Sequence, residues 1–535
     1  MKSRQISGTR TAVMCLVALA SLCSAQNEPV FRSGTRLVQV NVVVHGKSGP
    51  ATGLTKDDFK LLEDGKPRTI SVFSVIEAHA NSPLPQSPQR QSDPGMISNR
   101  SDARGETPTT ATVLLIDRLN TPVTDQPFTN AKVIEFLQKH GNGQRLGIYT
   151  LGSDVRVIQE LTSDPERLLR AVARIRPQDA KRMASDVTMD ATGEPLTDMM
   201  AAHALTDLQD FATADRAGIT RSALEAIARH LAKVPGRKNL IWISASFPII
   251  VIRPNYVLDY SHDVDRAARL LTEANIAVYP VDPRGVSATV GGIGDAEDGP
   301  GSKCGRGPCR IIAPPDPAKA PDSGLDTMNT LAALTGGRAF YHDNGIAESI
   351  QKAIEDAEVT YTLGFYPPDD AFDGGFHKLT VKVNRRGLDV RSRSGYFASK
   401  AGLDSAASRP TLTQLLDDSL DATVIGLRAN AVPDASQTGS WVVRAIIDLH
   451  DLELSHENGR ATGDVDVSFF VDDARSVRTI THKIDLSEAQ FAAALDAGIT
   501  VDNSIPADAK AREIRIVVQD HATGAAGSVR VPIRR

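Results

Sequence analysis

Thr112-Val-Leu-Leu-Ile-Asp117-Arg-Leu-Asn-Thr121 carries the strongest fold signal in the chain. A continuous apolar run followed by a polar turn is typical of a central parallel strand that is buried on both faces. Asp117 stands at the carboxyl end of this strand, and ligands of open α/β sheets bind beside such ends. Asp117 is therefore the first candidate for a functional residue, although an aspartate that only caps the turn gives the same pattern.

Strand and helix patterns alternate on both sides of this stretch. The alternation predicts a doubly wound, mostly parallel α/β sheet over residues 109–357. The predicted strands are Arg145–Thr150, Val155–Ile158, Lys238–Ser244, Ile276–Val281 and the short Arg338–Tyr341, and the predicted helices are Pro165–Ile175 capped by Asp164, Pro127–Lys139, Thr220–Lys233, Val264–Glu273, Leu325–Leu334 and Ile346–Ala357.

The flanking regions show β patterns and turn residues instead. Residues 30–79 and 358–400 each hold too few strands to close a core, so we expect them to form one β-sandwich with the α/β unit inserted between them. Residues 80–108 are rich in Ser, Pro and Gln and predict a linker. Residues 410–535 predict a second, C-terminal β-sandwich-like domain with an inserted helix, and they contain no chemical motif.

Composition excludes some functions. The chain has 535 residues, of which 41% are hydrophobic and 23% charged, and its net charge is -5. Nucleic acids and anionic lipids are bound by basic faces, so neither is an expected partner. The insertion Gln178–Ala217 holds four of the eight methionines, which can serve an adaptable binding surface or belong to an ordinary amphipathic helix.

The first 25 residues have the pattern of a secretory signal. Basic residues precede an apolar run, and Ala25 follows Cys23-Ser24 at the expected cleavage site. We therefore expect a periplasmic, cell-surface or secreted protein with no membrane segment after signal removal. Export favours a disulfide between Cys304 and Cys309, which lie in the long Gly/Pro-rich insertion Pro283–Ser323.

Residues 35–398 resemble the von Willebrand factor type A-related group of exported proteins that is best known from acidobacteria. The α/β part would then be a von Willebrand factor A-like domain. The motifs that carry the resemblance are Val113-Leu-Leu-Ile-Asp117 with Asn120-Thr121, Thr162-Ser-Asp164, Pro235-Gly-Arg-Lys-Asn-Leu-Ile-Trp-Ile-Ser244, Val278-Tyr-Pro-Val-Asp282, Thr335-Gly-Gly-Arg338, Arg391-Ser-Arg-Ser-Gly-Tyr396 and the hairpin Asp57-Asp-Phe59 to Glu63-Asp-Gly65.

The resemblance implies a divalent-cation site at the strand ends, because type A domains often hold Mg²⁺ or Mn²⁺ there through oxygen ligands. Asp117, Thr121 and Thr220 match the ligand positions, so they are the candidate metal residues. Leu119 replaces a ligating serine, and Ser244 stands where a second aspartate is expected. The site is thus degenerate, and we favour the alternative of a metal-free site in which Asp117 is hydrogen-bonded to backbone.

These patterns predict an exported, non-enzymatic binding or adhesion-type protein. The expected partner is a protein or a surface polymer. No G-x-S-x-G surrounds the serines at the strand end, and no H-E-x-x-H occurs in the chain. A structural envelope component and a hydrolase that uses the strand-end crevice remain the alternatives. The residues predicted to form the partner-binding rim are Asp117, Asn120, Thr121, Ser244 and Ser246.

Overall fold

The fold was analysed in a computed structural model. It describes residues 37–47, 49–77, 95–100, 110–141, 144–177, 195–234, 236–245, 250–252, 257–283, 323–341, 345–368, 373–398, 409–457, 459–471, 477–507 and 511–533. The predicted signal segment 1–25, Ser246, Cys304 and Cys309 lie outside these residues, so the predictions made for them remain predictions.

A five-stranded sheet lies at the centre of the α/β unit, and the strand that carries Asp117 is its middle strand. The first four strands are parallel, and the fifth is an antiparallel edge strand. Their spatial order is Ile276–Val281, Arg237–Ile243, Thr110–Asp117, Leu146–Leu151 and Val155–Thr162. Asp117 and Ser244 therefore follow the ends of neighbouring strands.

Successive residues of the middle strand enter two different apolar cores. Leu115 packs with Trp242 and Ile227 on one face, and Leu114 packs with Phe136 on the other. This explains why the strand is apolar throughout instead of alternating.

The prediction of a mixed α/β fold is confirmed. The helices of the unit are Gln126–His140, Pro165–Ala173, Pro195–Leu231, Ser261–Glu273, Ser323–Thr335 and Ile346–Glu355.

Two predicted elements of this unit were wrong. The helix expected from Thr220 begins at Pro195, and we call Pro195–Leu231 the long helix. Arg338–Tyr341 forms only an isolated bridge, between Phe340 and Val281.

The Asp164 cap is confirmed, because its side chain accepts hydrogen bonds from the first turn of Pro165–Ala173. A small hairpin pairs Ile250–Ile252 with Val257–Asp259.

Strands from both sides of the α/β unit are hydrogen-bonded to each other. Val38–Gly46 pairs with Val359–Phe365, and Phe59–Glu63 pairs with Phe376–Val383, both antiparallel. The two sheets share one apolar core. The first sheet contains Asp389–Ser392, Val38–Gly46, Val359–Phe365, Val72–Glu77 and Gly49–Pro50, and the second contains Gly395–Phe397, Phe376–Val383, Phe59–Glu63 and Lys66–Arg68, with a 3-10 turn at Lys56–Asp58.

The C-terminal region contains two further antiparallel sheets around a separate core. The first contains Ile499–Pro506, Ser440–Ile447, Leu427–Pro433 and Ile97–Ser98, and the second contains Ser455–Glu457, Arg460–Val471, Glu513–Asp520, Ala526–Pro532 and Val477–Ser487. Helices Leu412–Asp417 and Glu488–Ala497 and the 3-10 turn Leu449–Asp451 complete the region.

One piece of the predicted linker belongs to this C-terminal region. Ile97–Ser98 pairs with Leu427–Pro433, and the Asn99 amide donates to the carbonyls of Ala422 and Ile425 at 2.7 and 2.9 Å. For these residues the linker prediction was wrong, because a strand of two residues leaves no periodicity to detect.

The C-terminal region also caps the long helix. The Thr423 hydroxyl donates to the carbonyl of His230 at 2.9 Å, and the Thr423 amide donates to the carbonyl of Arg229 at 3.2 Å. The last carbonyls of a helix have no partner within the helix, so these contacts satisfy them from the C-terminal region. Within the described residues, no helix combines the length and apolar character that crossing a bilayer requires.

Candidate functional site

The Asp117 carboxylate is the acceptor of a closed hydrogen-bond network. Its Oδ1 accepts from the backbone amides of Leu119 and Asn120, both at 2.9 Å. Its Oδ2 accepts from the side-chain amide of Asn120 at 2.9 Å, the Trp242 indole at 3.0 Å and the Ser244 hydroxyl at 2.8 Å. Both oxygens are therefore occupied by donors from the protein itself.

The network extends to the long helix and to the next strand end. The Asn120 side-chain amide also donates to the Thr220 hydroxyl at 3.0 Å. The Thr121 hydroxyl accepts from the Ala245 amide at 3.3 Å, and Gln126 donates to the Thr121 carbonyl at 3.0 Å. Thus the predicted residues Asp117, Asn120, Thr121, Thr220 and Ser244 come together as expected from the strand order.

Burial of this network corrects the predicted binding rim. Asp117, Thr121 and Ser244 are each at most 1% exposed, and Asn120 is also buried. A partner cannot contact these four side chains in this conformation, because almost none of their surface is exposed. The prediction that they form the contact surface was therefore wrong, and the fifth predicted rim residue, Ser246, is not described.

Two opposing effects act on the charge of Asp117. Burial raises the pKa of its carboxyl, and the hydrogen bonds from Asn120, Ser244 and Trp242 oppose that rise. Arg216 lies on the long helix. Burial lowers the pKa of its guanidinium, and attraction to Asp117 opposes that lowering. Burial outweighs the donors, so the pKa of Asp117 is raised in total.

The donor set does not fit a divalent cation. Magnesium and manganese take oxygen ligands, whereas two of the groups directed at Asp117 Oδ2 are the N–H donors of Asn120 and Trp242. Leu119, at a position where the resemblance implies a ligand, is buried in the apolar core. The carboxylates, histidines and cysteines of the described residues also form no group of three around one point.

Trp242 and Gln126 are members of the network that the sequence prediction missed. Side chains two residues apart in a strand point to the same face, so Trp242 lies on the same side as Ser244. This spacing is a signal that could have identified Trp242. Gln126 gives no comparable signal, because its contact depends on how the turn after Asp117 folds back.

The long helix presents an exposed apolar face before it reaches this network. Five large apolar side chains in its first half are 45–70% exposed. At about 100° per residue, four of them fall within an arc of about 120°, whereas Met199 lies on the opposite side of the helix from Leu208. We call these four the apolar face; its members are Leu196, Met200, Leu208 and Phe211.

Solved structures give several likenesses. An aerotolerance-related membrane protein from Bacteroides fragilis is 14% identical over 46% of this chain and 98% of that chain, with a TM-score of 0.25. A von Willebrand factor type A protein from Catenulispora acidiphila is 8% identical over 79% of this chain and 66% of that chain, with a TM-score of 0.25. No family model matches the chain, and no curated protein matches it.

A third likeness is to proximal thread matrix protein 1 of the mussel byssus, solved with a zinc-occupied MIDAS motif. It is 7% identical over 48% of this chain and 47% of that chain, with a TM-score of 0.25. TM-scores this low carry no weight for function, so the proposal below rests on the geometry of the chain itself.

Proposed function

We propose that this chain is an exported, non-enzymatic binding protein in which a von Willebrand factor A-like α/β unit recognises a protein partner through the apolar face. The single observation that carries the proposal is the exposure of four large apolar side chains on one side of one helix. Contiguous exposed apolar surface marks interaction sites in soluble proteins.

The chemistry of the apolar face fits a protein partner better than a polymer of sugars. Leu196, Met200, Leu208 and Phe211 offer few polar atoms for hydroxyl groups to bind. A helix with such a stripe is a common partner of a groove or of a second amphipathic helix. Met200 has a flexible thioether side chain that adapts to the shape of the bound surface.

The hydrogen-bond network around Asp117, which we call the strand-end network, has a positioning role in this proposal. Thr220 lies nine residues after Phe211 on the same helix, about 14 Å along the axis. Its hydroxyl accepts from Asn120, which also donates to Asp117. The network therefore fixes the helix that presents the apolar face, and its buried residues need no contact with the partner.

The environment of Ser244 supports the non-enzymatic part of the proposal. Its hydroxyl is fully buried and donates to the Asp117 carboxylate at 2.8 Å. A catalytic serine has to reach a substrate and needs a base that takes its proton during attack. A hydroxyl that is enclosed in this way cannot reach a substrate in this conformation.

Site-specific photocrosslinking tests the proposal. A benzoylphenylalanine residue replaces Leu208 in the mature chain, and the protein is irradiated in an envelope extract from its own source. The matched control places the same residue at Val432, an apolar residue of the C-terminal region that is 50% exposed. We expect one discrete heavier adduct from position 208 and none from position 432. Equal yields at both positions, or no adduct at 208, would contradict the proposal.

A further inference from the structure

A cleft that is separate from the strand-end network lies between the α/β unit and the two sheets formed by the segments before and after that unit in the chain. It runs between the helix Ser261–Glu273 and the strand Gly395–Phe397, and its volume is about 280 Å³. This volume is near the lower end of the range for small-molecule pockets, about 300–1,000 Å³. The side chains that matter for its chemistry are Arg269, Glu273, Phe376, Arg393, Tyr396 and Phe397.

The walls of the cleft are held together by direct hydrogen bonds. The Ser394 amide donates to the carbonyl of Ala333 at 2.9 Å, which joins the sandwich to the helix Ser323–Thr335. The Asn41 side chain donates to that of Asn275 nearby. Because both contacts cross between the two units, the cleft is preformed and does not depend on a ligand for its shape.

Gly395 makes room for the aromatic wall. A Cβ atom at this position would lie 2.2 Å from the Phe376 ring and 2.4 Å from the carbonyl of His377. Only glycine therefore allows Phe376 to stand against Phe397, with ring centroids 5.1 Å apart and an edge-to-face angle of 63°. Phe376 is 43% exposed, so this aromatic wall reaches the surface.

Two guanidinium groups line the cleft beside the aromatic wall. The Arg269 group lies over the Phe397 ring, 4.4 Å from its centroid. The Arg393 Nη2 donates to the Gln39 carbonyl at 2.7 Å, while its buried Nε has no hydrogen-bond partner among the residues that the structure describes. Burial lowers the pKa of Arg393 to about 10, so it remains charged at neutral pH.

The charge of the cleft is positive after its one carboxylate is counted. Arg269 and Arg393 contribute two positive charges and Glu273 one negative charge. Glu273 is exposed, whereas both arginines are half-buried. Burial also raises the pKa of Glu273, and attraction to Arg269 opposes that rise. Glu273 therefore offsets at most one of the two positive charges, which leaves Arg393 to favour an anion inside the cleft.

We propose that this cleft binds a small molecule that combines a carboxylate with an aromatic ring. Guanidinium groups bind carboxylates through charge-assisted hydrogen bonds, and Arg393 has an unused donor. Phe376 and Phe397 offer ring contacts to the aromatic part of the ligand. The ligand could be a free aromatic acid or the carboxyl end of a peptide, since both present the same chemistry. This site is independent of the function proposed above.

Isothermal titration of the mature chain tests the site with 3-phenylpropionate as the probe. The matched ligand 3-phenylpropionamide has the same ring and size but no charge. We expect the acid to bind about tenfold or more tightly than the amide, the ratio that one charge-assisted hydrogen bond supplies. N-acetylphenylalanine, which mimics a peptide end, distinguishes the two sources by whether it binds more tightly than the free acid.

Two variants locate the binding in this cleft. Arg393→Gln and Arg269→Gln should each weaken the acid about tenfold, while the control Arg460→Gln should change nothing, because Arg460 pairs with Asp485 at an exposed position of the C-terminal region. If Arg393→Gln unfolds, Arg269→Gln decides alone, since the Arg269 guanidinium stacks on the Phe397 ring near the surface of the cleft. No binding of the acid at about 10 mM, or an affinity that neither variant changes, overturns the site.

Discussion

The two halves of the long helix differ in what surrounds them. In the second half, Leu224, Ile227 and Leu231 are buried in the core of the α/β unit. In the first half, Leu208 and Phe211 face solvent although they are equally apolar. The same residue types therefore stabilise the fold in one half and remain available for a partner in the other. The strand-end network, through Thr220, lies between the two.

The largest effect should come from removing the acceptor between these halves. Asp117→Ala leaves the Trp242 indole, the Ser244 hydroxyl and the Asn120 amide without their buried acceptor. We expect the free energy of unfolding to fall by about 3–5 kcal/mol, measured by chemical denaturation. Asp485→Ala, which removes an exposed carboxylate that pairs with Arg460, should change it by less than about 0.5 kcal/mol. Similar values for both variants would show that the network does not stabilise the fold.

Ile227 and Leu208 compare the two halves directly. Ile227 is fully buried, so Ile227→Ala should lower the free energy of unfolding by about 3 kcal/mol. Leu208→Ala removes exposed surface on the same helix and should change it by less than about 0.5 kcal/mol. Urea denaturation of both variants measures the difference. A large loss in Leu208→Ala would mean that the apolar face is packed against the chain itself.

These comparisons also show which parts of the molecule the sequence could predict. The middle strand was predictable because Val113 to Ile116 are all apolar, a pattern that few other elements produce. Asp164 was predictable as a cap because it precedes Pro165. A helix in the insertion Gln178–Ala217 was one of two alternatives, but its continuity with the helix expected from Thr220 was not predicted, because most apolar side chains of the first half face water. Proline is favoured in the first helical turn, so Pro195 could have marked the start.

The site itself was only partly predictable. The strand order brings Asp117 and Ser244 together because parallel strands end at the same edge of the sheet. Their burial depends on the turn after Asp117 and on where the long helix lies, and neither can be predicted from the local sequence. The exposed apolar face is a property of tertiary packing for the same reason.

The stability of the fold around the end of the long helix should depend on pH. Burial alone lowers the pKa of His230, but Glu160 and the Asp421 carbonyl raise it above 6.5 in total. Protonated His230 therefore stabilises the fold, and this contribution is complete below about pH 6.5 and is lost as the pH rises through the higher folded value. Because Glu160 is half exposed, the effect should be about 1 kcal/mol or less.

Denaturation between about pH 6 and about pH 9 measures this contribution against the variant His230→Asn, which should lose it. The control His262→Asn replaces an exposed histidine at the start of another helix and should keep the pH profile of the native chain. An unchanged profile in His230→Asn would contradict the assignment.

Divalent cations should have the smallest effect of all. Because protein donors already occupy both oxygens of Asp117, calorimetric titration of the mature chain with magnesium or manganese should give no binding heat beyond dilution. Heat that disappears in a folded Asp117→Asn variant would show that the network opens to accept a metal.

The central claim is that the apolar face binds the partner while the buried half supports it. The most direct test is the yield of the photocrosslinked adduct, with the crosslinker at Met200 and the double substitution Leu208→Ser, Phe211→Ser in the same chain. We predict that the free energy of unfolding stays within about 1 kcal/mol of the native value while the adduct is lost. An undiminished adduct in a stable double variant would contradict the claim.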